Sequence, residues 1–143
     1  MSIFLGGTGS SNELHDYEEG TFTTNLPNGG SRTQSYARYI KSGHMVFVNF
    51  YIYSIQPPNN SSVFYIGGLP FTVDGTGHGF GNFAYTGGSG MSAVNLMPIF
   101  ELSQTRLYFH RQDGTTAAWN NSQQRSTNWN QAFIIGGVYR TDS

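Results

Sequence analysis

The 143-residue sequence has no cysteine and a single lysine, Lys41. The first absence excludes disulfides and thiol chemistry. Charge of either sign is scarce. Charged residues make up 10% of the chain and the net charge is −1. Soluble domains usually carry about 25% charged residues. Nucleic-acid binding needs a basic footprint, and none is present. A polybasic patch for a membrane surface is missing as well. No apolar run reaches the roughly 20 residues of a membrane-spanning helix. The start, Met1 to Leu5, is apolar but lacks a basic flank, and Gly6-Gly7 interrupts it. It does not have the form of a signal peptide. Nucleic acid and membrane are therefore not expected partners.

What the chain does contain is glycine, 19 residues, and a 15% share of aromatics. Aromatic and β-branched residues suit pleated, half-buried surfaces, and Gly and Asn suit turns. Apolar residues come in short runs separated by Gly, Pro, Asn and Ser clusters, the pattern of a sandwich or barrel. No long apolar stripe at helical spacing occurs. Strands are expected near 21–24, 32–40, 44–55, 63–66, 91–101, 106–111 and 132–139, with one or two irregular strands in the Gly-rich stretch 74–90. Gly136-Gly137 suggests a bulge. About eight strands fit an all-β, antiparallel, jelly-roll-like sandwich. We divide the chain into an extended or docking segment, 1–20, and a sandwich domain, 21–143.

The strongest strand signal is 44–55. One face carries Val46, Val48, Phe50 and Ile52. The other carries Met45, Phe47, Tyr51 and Tyr53, with only Asn49 between them. A strand that faces water on one side alternates apolar with polar residues. This strand is expected to be covered on both faces, and a subunit interface is one such cover. Low charge also costs a free monomer solubility.

Few constellations carry chemistry. The acidic cluster Glu13, Asp16, Glu18 and Glu19 has the residue types of a glycosidase pair or a calcium site. Its four carboxylates sit in one short segment rather than across a cleft. The structural reading is preferred, with Arg32 and Arg38 as candidate partners and Tyr17, Glu18 and Glu19 beside an interface. The histidines, His15, His44, His78 and His110, show no metal-ligand spacing. Gly77-His78-Gly79-Phe80-Gly81 precedes no helix and is not a phosphate cradle. No catalytic residue, metal or cofactor is expected. The most suggestive stretch is 113–131. Trp119 and Trp129 lie among Asn121, Arg125 and Asn128, a mix of rigid plates and adaptable polar groups that can grip a sugar or a protein epitope. Tyr108 is a weaker candidate for the same surface. The plainer reading is a long loop pinned to the core by its tryptophans.

The segment Asn12-Glu-Leu-His-Asp-Tyr-Glu-Glu-Gly-Thr-Phe22 resembles one that recurs in bacteriophage tail fibres and related virion proteins. There it reads approximately Asn-x-Leu-Asp-Asp-Tyr-Glu-Glu-Gly-Thr-Trp/Phe-Thr. Tyr39-Ile-Lys41-Ser-Gly43-His-Met-Val46-Phe-Val48 is similar to the family's next motif. Ile66-Gly-Gly-Leu-Pro70-Phe71 and the closing Gly-Val-Tyr139 are similar to later pieces. Together these cover nearly the whole chain in order. His15 replaces an Asp and Phe22 replaces the commoner Trp. The resemblance implies a β-sandwich, a homotrimer, other virion proteins as partners and no catalysis. It implies a particle-surface location after synthesis in the host cytoplasm, and adhesion to a host glycan or protein. The domain begins near Met1, whereas in the family it often ends a long chain. That keeps a neck or capsid decoration protein with a mechanical role as an alternative. A free carbohydrate-binding module is a further alternative.

Overall fold

The computed structural model describes residues 3–4, 13–14, 16–58, 60–87, 96–111 and 131–142. Two short strands, β1 (Ile3–Phe4) and β2 (Glu13–Leu14), pair as an antiparallel two-stranded sheet. All other described strands form one sheet. They are β3 (Tyr17–Thr21), β4 (Ser31–Ser42), β5 (Met45–Gln56), β6 (Tyr65–Gly67), β7 (Gly79–Gly87), β8 (Leu96–Phe100), β9 (Arg106–Arg111) and β10 (Gln131–Arg140). Their order across the sheet is β3-β4-β5-β10-β7-β8-β9-β6, and every neighbouring pair is antiparallel.

The sheet curls until its ends meet. After Thr21 the chain leaves β4 and crosses to the opposite edge. There Asn25 and Gly67 exchange two backbone hydrogen bonds of 2.9 Å. The crossing is so tight that a Cβ on Gly68, whose φ is +87°, would lie 2.1 Å from the Thr23 carbonyl oxygen. Only glycine fits there. Ring contacts measure the same curl. Phe109 of β9 and Phe133 of β10 are 5.7 Å apart although β7 and β8 lie between their strands in the sheet. Phe83 packs against both, at 5.5 and 5.1 Å. Phe100 meets Tyr139 at 5.0 Å, and Phe22 meets Phe50 at 6.0 Å. Curling lets the two halves of one sheet bury a shared aromatic core, which flat pairing would leave half in water.

The all-β, antiparallel expectation holds, and so does the eight-strand count for the main sheet. The two layers are the halves of one continuous sheet. Local expectations are corrected: β3 ends at Thr21, so residues 22–24 of the strand expected at 21–24 lie outside any strand, and the glycine pair marks no bulge. Gly136 and Gly137 pair in regular register with β5 and β7. The irregularities lie at Ile134/Ile135 opposite β7 and at Gln131/Phe133 opposite β5. Gly137 is small because Phe100 covers it: a Cβ there would lie 2.6 Å from that ring. The β4–β5 turn also falls later than expected. Lys41 and Ser42 belong to β4, and Gly43, at φ +56°, makes the turn.

Candidate functional site

Alternation along β5 sends Val46, Val48, Phe50 and Ile52 inward, where all four are buried. It sends Met45, Phe47, Asn49, Tyr51 and Tyr53 outward. Met45, Phe47 and Tyr53 are exposed, and Tyr51 is half-buried. The second apolar face of this strand is therefore largely exposed.

Register extends that face sideways, because directly paired residues share a side of the sheet. Ile40 pairs with Phe47, Phe47 with Val138, Val138 with Phe80, and Phe80 with Ile99. The result is an apolar row running across five strands. Ile40 is 44% exposed, Phe47 50% and Phe80 61%. Met97, on the same side as Ile99, is exposed too. Toward the far end of β5 the outer face turns aromatic. Tyr36 and Tyr51 meet edge to face at 6.2 Å, and Tyr51 and Tyr53 lie 5.5 Å apart. A groove of about 570 Å³ runs between these two zones, with Glu19, Arg38, Ile40, Phe47 and Asn49 along it. Sequence reasoning missed Ile40, Phe80 and Met97. Each lies on a different strand, and only the register brings them to one face.

The acidic segment becomes the edge strand β3 and the turn before it. The arginine partners expected for it are replaced by others. The Lys41 ammonium pairs with the Asp16 carboxylate and lies 5.5 Å from the centre of the Phe71 ring. Lys41 faces inward and is 3% exposed. The Tyr39 hydroxyl donates to Glu18, and the Tyr17 hydroxyl donates to Glu19 at 3.0 Å. Donation to a carboxylate raises both phenol pKa values above the ordinary tyrosine value. Arg32 instead donates to the Thr24 hydroxyl, at 2.8 Å, and to its carbonyl. Arg38 lies opposite Thr21 and Asn49 on the outer face. Asp16 and Glu18 thus fasten the turn and β3 to β4 inside one chain. Tyr17 and Glu19 remain exposed beside the groove.

The expected binding residues Trp119, Trp129, Asn121, Arg125 and Asn128 lie outside the described residues. Tyr108 is described. It sits on the outer face of β9, half-buried, with its ring 6.5 Å from Tyr65 and 5.6 Å from the His110 ring. Burial raises its phenol pKa above the ordinary value. His44 and His78 each place Nδ1 against a backbone carbonyl, that of Thr141 at 3.0 Å and that of Phe100 at 3.2 Å. Among the described residues no three His, Asp or Glu side chains gather as a metal site would require. No described helix is long and apolar enough to cross a membrane.

These features define a class: an antiparallel β domain, closed on an aromatic core, that presents exposed apolar side chains on its outer sheet face. In fold the chain is similar to the Dettilon tailspike protein (gp208). The match has a TM-score of 0.67 and 22% identity, and it covers 87% of this chain and 24% of the other. The chain therefore spans about a quarter of the length of that tailspike protein. No protein-family model matches the sequence, and no curated protein matches it significantly.

Proposed function

We propose that this chain is a non-enzymatic adhesion domain of a phage tail fibre or spike, and that it works as a homotrimer. The observation that carries the reading is the exposed row Ile40–Phe47–Val138–Phe80. A monomer gains nothing from two exposed phenylalanines flanking Val138 on a sheet with so few charges to keep it soluble. Packing this face against second and third copies removes the row from water. It also removes Met45, Tyr51 and Tyr53, while Tyr17 and Glu19 form a polar rim. Likeness in fold to a tailspike protein supports the same reading, as do the Asp-Tyr-Glu-Glu-Gly-Thr segment and the other resembling motifs. Residues 1–20 then link the trimer to other virion proteins.

Light scattering tests the assembly. The expected mass is about three times 15.8 kDa, and Phe47→Asp or Phe80→Asp should reduce it to that of one chain. A wild-type monomer at micromolar concentration would overturn the trimer. Staining a panel of bacterial strains with the labelled chain tests adhesion. Surface staining of a subset of strains is expected. Incorporation into particles with no staining of any strain would favour the decoration role instead.

A further inference from the structure

A second groove lies at the other end of the sheet, where β6, β9 and the β8–β9 turn meet. Val63, Tyr65, His78, Glu101, Leu102 and Tyr108 line it, and its volume is about 290 Å³. Ligand clefts commonly run from about 300 to 1,000 Å³, so this one has room for a single small ring. We infer that it is a binding subsite for one neutral pyranose ring of a glycan. The inference deepens the adhesion reading by naming a ligand class and a place, and it rests on that reading only for the ligand's biological source.

The chemistry is already arranged. Arg106 lays its guanidinium 3.9 Å from the centre of the Tyr65 ring. The same Arg106 donates from Nε to Glu101 at 2.5 Å. One side chain thus fixes both an aromatic plate and a carboxylate. Arg106 and Glu101 are each only about one-third exposed or less, so the pair is a partly buried, oriented one. Its charges cancel locally, and neither an anion nor a cation is favoured. His78 is held through Nδ1 on the Phe100 carbonyl. Tyr65 and Tyr108 meet edge to face at 6.5 Å, on the same side of the sheet.

A ligand suited to these walls has an apolar C–H face for an aromatic plate. It also has several hydroxyls that donate to a carboxylate and accept from phenols and an imidazole. A pyranose has both. A flat apolar ligand would offer the phenols and the imidazole nothing to hydrogen-bond, and a charged one would gain nothing from the neutralised pair. Register makes the site: Tyr65 pairs with Tyr108, and Arg106, paired with Gly67 two positions along, falls on the same side of the sheet beside Tyr65. Of these residues, only Tyr108 was legible in the sequence as a binding candidate.

The test is a titration of the isotope-labelled full chain with methyl glycosides of glucose, galactose, mannose and N-acetylglucosamine, followed by amide chemical shifts. At least one should move the amides of Tyr65, Glu101 and Tyr108, with a dissociation constant of about millimolar strength. Tyr108→Ala should weaken that binding at least about tenfold, which corresponds to losing one stacking plate and one hydroxyl. Should that variant fail to fold, Tyr108→Phe and Glu101→Gln decide: weaker binding in either supports the subsite. Three outcomes overturn it: no glycoside shifts these amides, shifts confined to 112–130, or wild-type affinity in the variants. A chain that binds glycosides here yet remains a monomer and stains no cells keeps the subsite and loses the adhesion reading. A staining trimer whose groove ignores every glycoside does the reverse.

Discussion

Gly136 and Gly137 are neighbours in β10 and look interchangeable in the sequence, yet they face opposite sides of the sheet. A Cβ on Gly136 would find its nearest neighbour, Asn49 Nδ2, at 3.5 Å, an ordinary contact. A Cβ on Gly137 would lie 2.6 and 2.7 Å from Phe100 ring carbons and 2.8 Å from the Phe80 carbonyl oxygen. The ring is itself packed on Tyr139 and has little room to retreat. Gly137→Ala should therefore cost about 1–3 kcal/mol, the usual penalty for overpacking. Gly136→Ala should stay within about 0.5 kcal/mol of wild type. Urea midpoints of the two variants check this, and equal midpoints would refute the packing account. Both glycines were legible as β-strand punctuation, but their separate roles were not. Which face a residue occupies depends on register, and register here depends on irregularities at Ile134/Ile135 and Gln131/Phe133 that no local pattern announces.

At the scale of elements, the strands with strong apolar patterns were the readable ones. β5 and β9 lie close to where their residues predict them. β3 was not, because its residues, Tyr-Glu-Glu-Gly-Thr, resemble a charged lead-in. It is a strand because Lys41, Tyr39 and the β4 backbone supply partners for its carboxylates and amides. Such partners lie about twenty residues away in the sequence and are invisible locally. β10 raises a related point, since it is central in the sheet and its last residues need an anchor. Asp74 supplies one. Its backbone N–H donates to the Arg140 carbonyl at 2.8 Å, and its buried carboxylate lies 3.1 Å from Arg140 Nε. The carboxylate also accepts from the Thr76 hydroxyl and N–H, at 2.7 and 2.6 Å. Those two hydrogen bonds, helped by Arg140, lower its pKa below the usual value. A carboxyl with a depressed folded pKa stabilises the fold above its unfolded value of about 3.9. That contribution fades as pH falls from about 4 through the lower folded value. Asp74→Asn should thus be less stable than wild type at neutral pH, and the gap should close in acid. Urea midpoints of both proteins from neutral pH down into the acid range check the sign. A gap that stayed constant with pH would mean that the carboxylate charge contributes nothing.

The whole molecule follows from one choice, the closure of a single sheet around an aromatic core. Composition made the all-β class legible, whereas the strand order did not follow from it, because β10 inserts between β5 and β7 from the far end of the chain. Closure also decides what stays outside. Among the described residues no second layer covers the outer face of the curled sheet, and the outer row Ile40–Phe47–Val138–Phe80 is the consequence. If copies of this chain supply that layer, folding and association are linked by mass action, and apparent stability depends on concentration. For a trimer, each tenfold rise in concentration adds about 1 kcal/mol per subunit. For a domain of this size that shifts the thermal midpoint by about 2–5 °C. Wild-type midpoints should therefore climb with concentration. Those of Phe47→Asp should be flat, because an aspartate in the centre of the row cannot be buried without a partner. A flat wild-type curve across the micromolar range would separate the fold from the assembly, and the row would then need another kind of cover.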